Sequence, residues 1–106
     1  MILGRVVGNV VSTTKSEKLF GFKLLIVSPI HLETFEEQGA PVVSVDTVGA
    51  GEGEVVMVVS GSSSRQTAAT EGRPVDSTIV AIVDSVDLRG NRMYRKFSRG
   101  ARDKGV

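Results

Sequence analysis

Three glycines alternate with small and acidic residues in DTVGAGEGEVVMVVSGSSSRQT, residues 46–67. Such a stretch could cradle a phosphate, because glycine lets backbone N–H groups approach an anion closely. A dinucleotide loop needs glycines at its first, third and sixth positions, after a strand and before a helix. Gly49 and Gly51 supply the first two, but the sixth position is Glu54, an anion where a pyrophosphate would sit. EVVMVV follows Gly53 and reads as a strand rather than a helix. The mononucleotide motif ends in Gly-Lys-Ser/Thr, and the chain has no such triplet. Gly49, Gly51 and Gly53 therefore read as a tight turn between two strands, with Gly61 as a second turn glycine.

Four other groups could carry chemistry. Glu36 with Glu37, and Asp46 with Glu52 and Glu54, are paired carboxylates of the kind that general acid–base catalysis uses. Carboxylates in such numbers on a small chain are more often solvated. His31 is the single histidine and reads as a surface or interface residue. Ser62, Ser63, Ser64 and Arg65 offer hydroxyls and backbone N–H groups to a small anion, or equally cap a helix with Arg65 in a salt bridge. Tyr94, Arg95, Lys96 and Phe97, beside Arg92 and Arg99, could stack on and neutralise single-stranded nucleic acid. With no cysteine and one histidine, neither a thiolate or histidine metal site nor a nucleophilic triad is supplied. We expect no catalytic residue, no metal and no cofactor.

At 106 residues the chain holds one modest core. No apolar run reaches the roughly 18 residues of a membrane span. The start, MILGRVVGNVV, lacks a basic region and is interrupted by Arg5, unlike a secretion signal, so a cytoplasmic location is expected. The net charge of +1 hides an asymmetry. Residues 1–87 hold 6 Lys/Arg against 11 Asp/Glu, whereas residues 88–106 hold 7 Lys/Arg against Asp103 alone. This divides the chain into an acidic body, 1–87, and a basic C-terminal tail, 88–106.

Positioning these residues falls to short strands. Valine occurs 18 times, and β-branched residues favour a pleated, half-buried surface. Strands are expected over residues 2–11, 19–30, 42–48, 54–60 and 77–86, with a short helix over 62–70. Five strands and one short helix make an all-β chain, a small five-stranded OB-like closed barrel. VVMVV and IVAIV are apolar on both faces, which points to burial of the second face by another subunit.

These segments carry a resemblance. MILGRVVGNVVST, KLFGFKLLIV, VDTVGAGEGEVVMVVSGSSSRQ and PVDSTIVAIVDSV are similar to the vertex (pentamer) proteins of bacterial microcompartments, the CcmL/EutN/PduN type. The likeness covers residues 1–86 and rests on GAGEGE followed by VVSGSSSR. It implies an OB-like barrel assembled as a cyclic pentamer. It implies a structural shell protein that caps the vertices of a carboxysome or metabolosome in the bacterial cytoplasm, alongside hexameric and trimeric shell proteins. Ser62 to Arg65 would then rim the five-fold axis, and Tyr94, Arg95, Lys96 and Phe97 would be the tail's contact residues. The alternative is an OB-fold module for single-stranded nucleic acid. The net negative barrel, with Phe20, Phe22 and Phe35 its only aromatics, disfavours that.

Overall fold

The computed structural model describes residues 1–12, 21–61 and 76–96. Five strands close a barrel: β1 (Ile2–Val10), β2 (Lys23–Pro29), β3 (Val42–Asp46), β4 (Val55–Ser60) and β5 (Ser77–Ile82). Their order round the barrel is β1-β2-β3-β5-β4. All pairs are antiparallel except β3 with β5, a short parallel seam of Val45 with Thr78 and Asp46 with Ile79. This is the expected five-stranded OB-like barrel. The helix expected over 62–70 lies outside the described residues.

Side chains that alternate inward fill the barrel. Val6, Leu25, Val27, Val56, Val58 and Ile79 form one cluster with Ala50. Where β1 crosses β2 the backbones come close. A Cβ on Gly4 would lie 2.4 Å from Val27 Cγ1 and 3.0 Å from the Ser28 carbonyl oxygen. The absent side chain of buried Gly4 is therefore part of the β1–β2 packing, and Val27 would have to move to admit one.

Three sequence expectations change. The strand expected over 77–86 breaks after Ile82 and resumes as β6 (Ser85–Leu88), which leaves the barrel to pair with β7 (Asn91–Arg95). The 87/88 boundary between body and tail cuts through β6, and residues 88–95 are a folded hairpin rather than a basic tail. Its two-residue turn is Arg89-Gly90, with φ of 53° and 83°. Positive φ at both central positions matches the right-handed twist of hairpin strands.

The hairpin also alters the argument from doubly apolar strands. Val56 and Val58 point into the barrel, but Val55, equally buried, belongs to a second cluster with Ile30, Phe35 and Tyr94. Leu3, Val83, Val86 and Met93 pack round it. The chain's own hairpin thus covers part of the second face that a neighbouring subunit was expected to cover.

Candidate functional site

The glycine loop joins β3 to β4, two strands that are not neighbours in the barrel. It therefore turns the chain between two strands, as its glycines suggest, but between strands that do not pair with each other. Asp46, the last residue of β3, organises it. One carboxylate oxygen accepts N–H bonds from Val48 (3.1 Å) and Gly49 (3.2 Å). The other accepts from the Ala50 N–H at 3.0 Å. The Asp46 side chain is 2% exposed, and Lys23 Nζ stands 3.7 Å from it. Lys23 Nζ also donates to the Ala50 carbonyl at 2.7 Å.

This geometry answers the phosphate question. Consecutive backbone N–H groups do converge on an anion, as in a phosphate-binding loop. The anion is the chain's own Asp46, which turns the loop into a closed structural element. Asp46 is thus committed to backbone bonds rather than poised as an acid–base partner of Glu52 or Glu54.

The second half of the loop is tied down separately. Glu54 accepts the Gly51 N–H at 2.6 Å. The Gly53 N–H reaches the Val6 carbonyl at 2.8 Å, and the Val6 N–H reaches the Glu54 carbonyl at 2.9 Å. The other Glu54 oxygen forms a salt bridge with Lys96. That hydrogen bond from Lys96 holds the Glu54 carboxyl below its ordinary range, against the opposing pull of burial. Glu54 in turn raises Lys96 above the ordinary lysine value. Lys96 directly follows β7, and its N–H donates to the Asp84 carbonyl at 2.8 Å, so this pair clamps the hairpin's end to the loop.

The loop glycines separate into two kinds. Gly49 (φ 81°) and Gly53 (φ 91°) occupy the left-handed region, but Gly51 does not. A Cβ at Gly49 meets nothing within 4 Å, and one at Gly51 meets only Glu54 Oε1 at an ordinary 3.6 Å. Conformation, not space, thus calls for glycine at position 49, and neither calls for it at position 51. Gly49→Val is expected to cost about 1–2 kcal/mol through backbone strain. Gly51→Val should cost under about 1 kcal/mol, within the spread of ordinary surface changes. Urea unfolding at matched protein concentration ranks the two, and equal losses would remove the distinction.

Elsewhere the surface that the nucleic-acid alternative would need comes apart. Tyr94 is 5% exposed, and its ring stacks on Phe35 with centroids 5.7 Å apart. It is thus an anchor of the second cluster, unavailable to bases. Phe35 reaches it from the 31–40 connection with φ of 58°. Among the described basic residues here, Arg89 pairs with Glu33, Arg92 with Asp87 and Lys96 with Glu54. Arg95 is exposed. His31 accepts the Glu33 N–H at Nδ1 (3.2 Å), a turn contact on the surface. Glu36 and Glu37 are exposed, and the Glu36 N–H donates to Thr34 Oγ1. Gly61 has φ of 65° and donates its N–H to the Asp76 carbonyl at 2.9 Å. Ser62, Ser63, Ser64, Arg65 and Phe97 lie outside the described residues. Among the described residues no cluster of three or more His, Cys, Asp or Glu could hold a metal, and no helix is long and apolar enough to cross a membrane.

Sequence reasoning missed the role of Asp46 as the loop's own anion, the close packing at Gly4 and the Glu54–Lys96 clamp. Only the first had a local signal, an aspartate two to four residues before the N–H groups it accepts.

Comparison with known proteins places this architecture. Residues 1–84 match the family described as ethanolamine utilisation protein EutN/carboxysome. The chain is 48% identical over 87 residues to the bacterial microcompartment shell vertex protein GrpN of Rhodospirillum rubrum, covering 82% of this chain and 97% of that one. It is 39% identical over 100 residues to the carboxysome shell vertex protein CcmL of Gloeobacter violaceus, covering 91% and 95%. The structure of Nostoc CcmL superposes with a TM-score of 0.84 at 38% identity, covering 91% of this chain and all of that one. The pentameric GrpN shell protein superposes with a TM-score of 0.75 at 46% identity, covering 83% and 99%. On this ground the chain belongs to the EutN/CcmL family.

Proposed function

We propose that five copies of this chain close into a ring that fills a vertex of a polyhedral bacterial microcompartment shell. Its role is structural. The observation that carries this reading is the superposition on the pentameric GrpN shell protein over 83% of the chain. The physical logic is geometric. Hexagonal tiles form flat sheets, and a pentagonal unit supplies the curvature that closes them. A cyclic ring repeats one heterologous contact until it closes on itself. Hexameric and trimeric shell proteins are the partners such a ring would abut.

A rigid protomer suits this role. Asp46 locks the glycine loop, and the Glu54–Lys96 pair binds the hairpin to it, so each protomer would enter the ring already cross-braced. Light scattering or native mass spectrometry is expected to give five times the 11.3 kDa chain mass at micromolar concentration. A monomer there would overturn the proposal.

A further inference from the structure

The second apolar cluster is built from three separate parts of the chain. Val55 and Leu3 come from barrel strands, Phe35 from the connection after β2, and Tyr94, Met93 and Val86 from the hairpin. Phe35 and Tyr94, both buried, thus belong to the two parts outside the barrel, and their rings stack with centroids 5.7 Å apart. At the tip of the hairpin, Arg89 pairs with Glu33 of the same connection. Hairpin and connection therefore meet twice, at the stack and at the tip.

Neither part is self-sufficient. β6 and β7 form a sheet of their own, and a lone two-stranded hairpin is marginally stable in water. The connection closes largely on itself. The Phe35 N–H donates to the His31 carbonyl at 2.7 Å, the His31 N–H to the Glu36 carbonyl at 2.9 Å and the Gln38 N–H to the Pro29 carbonyl at 2.8 Å. Phe35 takes a φ of 58° to seat its ring against Tyr94, a conformation that strains a residue with a side chain. The hairpin's polar ties to the barrel sit at its root. There the Val83 N–H donates to the Val55 carbonyl at 2.8 Å, and Lys96 pairs with Glu54. The hairpin is pinned to the barrel at its root and joined to the connection at its middle and tip.

We propose that the connection and the hairpin form a two-part latch that opens as one unit while the barrel stays closed. Val83 and Lys96 mark its hinge end. Once the stack parts, Phe35 keeps its backbone strain without its ring contact, and the hairpin loses its buried anchor, so neither half stays ordered alone. The barrel does not share this fate. Its own cluster of Val6, Leu25, Val27, Ala50, Val56, Val58 and Ile79 includes no residue of either part. Opening uncovers Val55 and Ile30, which the closed latch buries.

Native-state hydrogen exchange in low urea, on the assembled wild-type protein at fixed concentration, tests this. The Phe35 and Gln38 amides and the β6–β7 ladder amides are expected to agree in protection within about threefold, at a level at least about tenfold below the β1–β2 amides. A wider gap between connection and hairpin, or a smaller margin below β1–β2, would overturn the latch. Phe35→Leu gives an independent reading, because it keeps an apolar side chain but ends the stack. The β6–β7 amides should then exchange about tenfold faster, although the change lies outside the hairpin, while the β1–β2 amides keep their protection. Acceleration confined to residues 31–38 would show that the two parts open separately and would overturn the proposal. If Phe35→Leu fails to fold, the wild-type profile still decides.

Discussion

Tyr94→Ala is expected to lower the unfolding free energy by about 3–4 kcal/mol, the range for truncating a buried aromatic ring. Tyr94 is the buried residue of β7 and the one that Phe35 stacks on. Phe35 holds a left-handed backbone that costs a non-glycine residue about 1–2 kcal/mol. That cost is offset only while the two rings are in contact, so losing Tyr94 loosens the 31–40 connection too. The Glu54–Lys96 clamp and the exposed Arg89–Glu33 pair then still tie the hairpin to the rest of the chain, and an exposed pair is worth little by itself. Tyr94→Phe retains the ring and should retain most of the stability. Deletion from Leu88 onward should match or exceed Tyr94→Ala, since it removes β7 with Met93 and Lys96. Deletion of residues 99–106 should leave both stability and the ring intact, because every anchor named here precedes residue 97. Urea unfolding at matched protein concentration checks the series. A loss below about 1 kcal/mol for Tyr94→Ala would show that the hairpin merely rests on the barrel.

The barrel was legible because its signal is local and repeated. Short valine-rich runs mark the strands directly, and glycine- and proline-bearing stretches bound them. The hairpin was not legible because SVDLRGNRMYR mixes its two-residue turn with basic residues, and the charge asymmetry pulled the reading towards a tail. Its turn signal, glycine between two short alternating runs, was present. Gly4 had no such signal. Its need for a missing side chain arises only when β2 brings Val27 against it. The Glu54–Lys96 clamp is of the same kind, a contact between residues far apart in sequence that only the folded hairpin brings together. In the loop, the glycines drew attention to a ligand from outside. The residue that mattered was the aspartate just before them.

Asp46→Ala should be the most damaging single change to the loop, with an expected loss of about 3 kcal/mol or more. Three backbone N–H groups lose their acceptor at once. Hydrogen bonds to a charged group contribute about 1.5–3 kcal/mol each, and a donor left buried costs about 1–3 kcal/mol. Such contributions from one carboxylate are not additive, so the total falls below their sum. Ala50 is fully buried within the barrel cluster, so its N–H has no ready access to water. Lys23 would also lose its anionic neighbour and keep only the Ala50 carbonyl. Asp46→Asn should fall between the variant and the parent. Its remaining oxygen can serve Val48 and Gly49, but the amide group meets another donor at Ala50. Hydrogen exchange offers a second readout, since the Val48, Gly49 and Ala50 amides should exchange faster in Asp46→Ala while the β1–β2 amides keep more of their protection. If Asp46 were instead a solvated carboxylate held for chemistry, its removal would leave stability and amide protection unchanged. That result would return the loop to the class of open anion sites that its glycines first suggested.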